Sequence, residues 1–367
     1  MKLYDANTKV KFKEEKMFNF NGTRNLQRYD EFKYPFFYER GQKMDSFFWK
    51  PAEVSLVKDK VDFKSLEEHE EMIFTLNIKR QEILDSLQGR APILTFGRVA
   101  TLPEIEYCLT RLVFQETNHS DTYAYILKNI YDDSTKVFDE ILDDEVITKH
   151  SLRIAKYYED FYDKINLWES LDETEPRRPT EDEMKKSCYL ALIAWNVLEG
   201  IRFYVSFACS FAFAENKKME GNAKEIKLIA RDENIHLSIT QKMINILKKD
   251  PQEGFKEIIA ECEEEVIEIY KAAAEDEIEW AQKLFAKGTI IGLNSEILIS
   301  YMKFLTNERA KAIGYKKIFS DALTTNPLPW INPWLGFGKT EFRAQETEIT
   351  DYQIANTNDE ILEEDWL

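Results

Sequence analysis

Apolar residues recur at three- and four-residue intervals along most of this chain, the repeat of helices that each bury one face. Ile105, Leu109, Leu112, Ile126 and Ile130 trace one such stripe, and Ile226, Ile229 and Met243 another. Ser65 and Glu68 form a capping-box pattern, which predicts a helix starting there and ending at Gly89. Pro103 suits the first turn of a helix running to about Tyr131. Residues 135–180 read as helical pieces and a loop, ending in the polar EPRRPTEDE. A long apolar helix is expected to follow, reaching about Glu215. After a turn at Gly221 and Asn222 comes a helix to about Lys249, and two more lie near 253–287 and 294–313. From Asn326, NPLPWINPWLGFG holds three prolines and cannot be regular helix. No strand pair and no short repeat is evident. The expected fold is all-α, with one body over residues 46–338, an irregular aromatic-rich arm over 1–45 and an acidic tail over 339–367.

Composition supports this reading. Only 12 glycines and 10 prolines interrupt 367 residues, and 44% hydrophobic residues suffice for a large core. The net charge of −18 repels phosphates and anionic bilayers, so neither nucleic acid nor membrane is an expected partner. Cys108, Cys188, Cys209 and Cys262 are far apart and form no CxxC pair, as expected for reduced core thiols in a cytoplasmic protein. The N-terminus has no apolar segment of the kind found in signal peptides. The most apolar run, Cys188 to Ala214, is interrupted by Asn196, Glu199 and Arg202, which favours a buried core helix over a membrane span.

The chemistry lies in charges placed where apolar residues belong. Two of the four histidines follow a glutamate by three positions, Glu116–His119 and Glu233–His236, and both pairs fall on the apolar stripes. Asp85 shares a helix face with Phe74, Ile78 and Gln81, and Glu199 sits in the most apolar helix, where Arg202 is its plain alternative partner. The order is a carboxylate helix followed by an E-x-x-H helix, twice over, with separations of 31 and 34 residues. Ferritin-like di-iron bundles carry their ligands in this order, so the expected architecture is a ferritin-like helical bundle with a di-metal carboxylate site in a four-helix core. Carboxylates with one imidazole per metal suit iron or manganese better than zinc.

The segments SFFWKP, LDSLQGR, ETNHSDTY, LEGIRFYVSFACSFAFAE, EGNAK, LIARDENIH and PWINPWL resemble those of the small, radical-generating beta subunit of class Ia ribonucleotide reductases. The likeness runs from about Phe47 to Leu335. It implies Asp85, Glu116 and His119 as ligands of one iron, and Glu199, Glu233 and His236 as ligands of the other, some glutamates bridging. It implies a stable radical on Tyr123, four residues after His119 and so on the metal face, walled by Phe203, Phe207 and Ile229. Two ferrous ions and Tyr123 would give three of the four electrons that dioxygen takes, the fourth entering through Trp49. Trp49, Asp232 and Tyr352 would then carry the oxidising equivalent to a large subunit that converts ribonucleoside diphosphates to deoxyribonucleotides. A homodimer is implied, with the C-terminal tail docking on the large subunit. Ile361, Leu362, Trp366 and Leu367 give that tail an apolar face among acids. No glycine-rich phosphate loop is present, so this chain alone should bind no nucleotide. The competing readings are a di-iron monooxygenase or oxidase and a ferritin-like iron-binding protein.

Overall fold

The computed structural model describes residues 4–24 and 26–336, so Tyr352 and the acidic tail lie outside the described residues. Among the described residues the regular structure is helical, with only isolated bridges such as Phe18 to Ala100. The longer helices are α1 (Pro35–Ser46), α2 (Val57–Phe63), α3 (Glu68–Gln88), α4 (Pro103–Ile130), α5 (Glu145–Ser170), α6 (Glu181–Val197), α7 (Tyr204–Glu215), α8 (Glu220–Lys249), α9 (Glu263–Leu284) and α10 (Ser295–Ala312). A five-residue π-helical turn, Leu198–Arg202, joins α6 to α7.

Four rods make the core: α3, α4, the α6–α7 rod and α8. Helix α3 packs on α4 and α7, and α8 packs on α4, α6 and α7. Around them, α1 covers α4 and α8, α5 covers α6 and α3, and α9 lies against α6 and the π turn with α10 behind it. All four cysteines are buried free thiols. The Glu181–Glu215 rod is apolar and long enough to cross a membrane by length and composition, but it is entirely enclosed by its neighbours.

Several boundaries differ from the sequence expectation, for local reasons. The helix expected at Ser65 begins at Glu68, because Glu67 and Glu70 form the capping box instead. Ser65 turns its hydroxyl to the Asp62 carbonyl (2.7 Å). The boundary at residue 45 falls inside α1, which buries Phe37, Gly41 and Met44. The pieces expected over 135–180 include one 26-residue helix, α5, whose buried face runs Ile147, His150, Ile154, Tyr158, Phe161, Ile165 and Trp168. Gly221 and Asn222 are not a turn but the first turn of α8; the chain reverses just before, where Met219 takes φ +52°. The expected 253–287 helix is broken at Cys262.

The π turn has a clear setting. At Gly200 a Cβ would come within 3.0 Å of Leu237 on α8 and 3.5 Å of Arg309 on α10, so a larger residue would press on Leu237 and the close approach favours glycine. A π turn misaligns backbone groups. Here Arg309 Nε donates to the Gly200 carbonyl (3.3 Å) and Arg80 Nη1 to the Arg202 carbonyl (2.9 Å). The sequence LEGIR has ordinary helical composition, so this irregularity could not be read from it. It falls on the turn that carries Glu199.

Candidate metal centre

Each rod delivers its ligands to one depth of the bundle. On α4 and α8 the i, i+3 spacing stacks Glu116 over His119 and Glu233 over His236 on the core face. Asp85 comes from the last turn of α3, and Glu199 from the π turn. All six are fully buried. Donor atoms of Asp85, Glu116, His119 and Glu233 lie within 4.8 Å of one another, as do those of Glu116, Glu199, Glu233 and His236. Glu116 and Glu233 belong to both groups and are placed to bridge.

The imidazoles face inward by Nδ1. His119 Nδ1 lies 3.1 Å from Glu233, 3.5 Å from Glu116 and 3.7 Å from Asp85. His236 Nδ1 lies 2.9 Å from Glu116, 3.1 Å from Glu233 and 4.0 Å from Glu199. The outward Nε2 atoms have matched partners, Asp232 for His119 (3.4 Å) and Gln115 for His236 (2.9 Å). Such outer hydrogen bonds fix ring orientation and leave the inner nitrogen free for a metal.

The donor set fits a pair of cations. Both oxygens of Asp85 and of Glu116, one each of Glu199 and Glu233, and Nδ1 of His119 complete no hydrogen bond within the protein. Buried, unpaired carboxylates are strongly disfavoured unless they take up protons or cations. Burial, and next the Glu116 and Glu233 charges, push Asp85 well above the usual carboxylate range. Glu199 is raised in the same way by burial and by Glu233 and Glu116. Burial also works against ionised Glu233, but His119 and His236 outweigh it and hold this carboxylate down.

Glu199 is held from behind. Its Oε1 accepts from Gln88 Nε2 and from Trp195 Nε1, each at 2.6 Å, which leaves Oε2 toward the centre. Tyr158 in turn donates to Gln88 Oε1 (2.7 Å) and lines an open apolar groove of about 380 Å³ between α3 and α5. Gln88, Gln115, Trp195 and Tyr158 were not singled out in the sequence. Gln115 carried a signal: it precedes Glu116 as Asp232 precedes Glu233. Trp195 lies one helical turn before Glu199. Tyr158 carried none, because its partner is 70 residues away.

Tyr123 is fully buried, and its hydroxyl completes no hydrogen bond. Burial, then the Asp85 and Glu233 charges, suppress its ionisation. Phe203 and Phe207 stack with ring centres 5.6 Å apart, and with Ile229 they are fully buried in the same core. Trp49 donates Nε1 to Asp232 Oδ2 (2.8 Å), and its ring lies 6.4 Å from that of His119. Asp232 Oδ1 also accepts from Arg231 Nη2 (3.0 Å). Trp49, Asp232 and His119 thus form one hydrogen-bonded line. It ends at a cavity of about 280 Å³ that Trp49 lines together with Phe48, Arg111 and Phe114.

Comparison with known proteins decides the family. The family model described as ribonucleotide reductase, small chain, matches residues 27–327. The chain belongs to the ribonucleotide reductase small-chain family. It is 43% identical over 359 residues to the ribonucleoside-diphosphate reductase subunit beta of Buchnera aphidicola subsp. Baizongia pistaciae, covering 96% of this chain and 95% of that protein. Against ribonucleoside-diphosphate reductase 1 subunit beta of Escherichia coli O157:H7 it is 42% identical over 350 residues, covering 93% and 92%. The ribonucleotide reductase R2 subunit from Clostridium botulinum superposes with a TM-score of 0.78 at 29% identity, covering 91% of this chain and 98% of that one. The chain is therefore the small subunit of a ribonucleoside-diphosphate reductase, an oxidoreductase that works with a large subunit.

Proposed function

We propose that this small chain holds two iron ions and, from them, keeps a stable radical on Tyr123. Asp85, Glu116 and His119 would hold one ion, and Glu199, Glu233 and His236 the other, with Glu116 and Glu233 between them. The observation that carries this reading is a set of four buried carboxylates with two imidazoles and no lysine or arginine among them, beside a buried phenol that faces Asp85. Manganese suits the same donors, and the choice between the metals rests with elemental analysis. The bound ions would supply a one-electron oxidant strong enough for a phenol. The protein's part is to control what the phenol does next. Burial and the adjacent carboxylates oppose a phenolate, so Tyr123 must lose its proton together with its electron. Asp85, the carboxylate that acts most strongly on Tyr123, is the group placed to take that proton. Phe203, Phe207 and Ile229 offer no readily abstracted hydrogen and keep water away from the radical.

Trp49 and Asp232 would pass electrons between the centre and the surface. Tyr352 would continue the route into the large subunit, with the tail, 339–367, as the docking segment and 46–338 as the radical domain. A homodimer in the cytoplasm completes the proposal. The test is a low-temperature electron paramagnetic resonance spectrum after addition of ferrous iron and air, with metal analysis, on wild type and Tyr123→Phe. The variant loses only a hydroxyl, so it should keep its metal and fold yet show no tyrosyl signal. A wild-type signal in Tyr123→Phe would refute the assignment. A di-iron oxygenase or an iron store would bind metal but give no stable tyrosyl signal even in wild type.

A further inference from the structure

Away from the metal centre, the first turn of α8 meets the segment that follows Trp49. Three polar side chains are buried there: Asp59 of α2, and Asn222 and Glu225 of α8. Asp59 caps the helix; Oδ1 accepts from the Gly221 N–H (2.9 Å) and Oδ2 from the Asn222 N–H (2.6 Å). The other two have no such partners. Both carboxylate oxygens of Glu225 and both amide atoms of Asn222 are buried without a hydrogen bond, although each side chain is fully enclosed. They stand three residues apart on one face of α8, and Asp59 is the first charge that acts on Glu225.

The electrostatics sharpen the problem. The ionisable groups that act on Glu225 are other acids, Asp59 and then Glu53. Burial first and these charges second push its carboxyl up to about 9. Tyr125 comes near but gives its hydroxyl to the Val54 carbonyl (3.0 Å). The Ser55 carbonyl also reaches this corner, 2.7 Å from where a Cβ on Gly221 would stand. Two enclosed acids, an unpartnered amide and nearby carbonyl oxygens make an all-oxygen donor set. Hard cations prefer such a set, and it lacks the imidazole present in each half of the iron centre. The positive end of α8 would oppose a cation here, but Asp59 already sits on it.

We infer that Asp59, Asn222 and Glu225 form a third, structural site for a hard divalent cation, Mg²⁺ or Ca²⁺, which ties the Trp49-bearing segment to α8. The inference does not rest on the radical reading. Iron-loaded full-length protein is equilibrated with Ca²⁺ or Mg²⁺, then freed of unbound ion and analysed for its elements. Wild type should retain one such ion per chain beside its iron, and its melting temperature should rise saturably with either ion. Glu225→Gln should lose the extra ion and the thermal response while keeping iron content and the tyrosyl signal. Retention of the extra ion in Glu225→Gln would overturn the site. So would a wild-type melting temperature indifferent to both ions, which needs no variant to fold. If in addition Glu225→Gln melts higher than wild type at mildly alkaline pH, the cluster is a buried protonated acid and nothing more. Iron content is read separately in every arm, so failure here leaves the iron centre as it stands.

Discussion

Asp232→Asn tests the outer support of the metal centre with the smallest possible change. The carboxylate faces donors on both sides: Arg231 on Oδ1, at 3.1 and 3.0 Å, and Trp49 (2.8 Å) and His119 (3.4 Å) on Oδ2. With Nδ1 of His119 turned to the metal, its Nε2 carries the proton and must donate. An asparagine has one oxygen, so its NH₂ must oppose either Arg231 or the pair Trp49 and His119. Either way at least one buried donor is left unpaired, which costs about 1–3 kcal/mol. If the loss falls on His119, metal affinity should drop roughly 10–100-fold, about 1.4–2.7 kcal/mol. Chelator competition on loaded protein should then show the ion beside His119 leaving first. Gln115→Leu should weaken the other ion, beside His236, and by less, because a neutral acceptor is lost. If Asp232→Asn holds both ions as tightly as wild type, or releases the ion near His236 first, the Asp232 bond is not what orients His119.

Trp49→Phe should cost stability as well as function: Trp49 is only 2% exposed, and the change removes the shorter of the two bonds to Asp232 Oδ2 and opens a void. We expect a loss of about 1–3 kcal/mol in denaturant unfolding and no turnover with the large subunit; full turnover would end the proposed route. His150 should make the fold acid-sensitive. Burial first, and the Arg80 charge next, depress its imidazole to about 4, so the folded protein refuses a proton that the unfolded chain accepts below about 6.5. Stability should be unaffected above that range and fall by at most about 3 kcal/mol as pH drops through it, and His150→Gln should lose less over the same range. Equal acid losses in the two proteins would exclude His150 as the cause. Deleting residues 353–367 should abolish binding to the large subunit and leave the Tyr123 signal intact, while Tyr352→Phe should bind but not turn over; undiminished binding by the truncated chain would refute tail docking.

The parts of the site that were legible in the sequence share one property: they break a local pattern. A glutamate and a histidine three apart on an apolar stripe are anomalous within a single helix, so Glu116, His119, Glu233 and His236 stood out without any tertiary information. Helix ends were less legible, because acids at Glu67, Glu68, Glu70 and Glu71 offer several competing caps and the structure uses Glu67 with Glu70. The long α5 was obscured because its buried face includes polar-tipped residues, His150, Tyr158 and Trp168. What could not be read was whatever depends on a distant partner. Gln88 gains its role from Glu199, 111 residues on, and Gln115 from His236, 121 residues on.

Glu199 shows what separates a functional buried charge from a structural one. In the sequence, Arg202 three residues on was the plain explanation for an acid in an apolar helix. In the fold Arg202 turns away and pairs with Asp276 at 2.7 Å, within a network where Arg80 meets Glu277 and Arg153 also meets Asp276. That network pins α9 to α3 and the π turn, and each of its acids has a cation among the side chains. The inner group has no arginine or lysine: Asp85, Glu116, Glu199 and Glu233 stand against two imidazoles. With both imidazoles neutral and all four acids ionised the formal charge is −4, which two divalent ions cancel. Two layers of buried charge therefore lie side by side, one neutralised by arginines and the other left for ions. The arginines are committed to this outer layer, Arg202 to Asp276 and Arg80 to Glu277. A bundle that needed only stability would be expected to pair Glu199 with Arg202. Keeping Arg202 outside, where it braces the turn that carries Glu199, leaves the inner carboxylates free for metal.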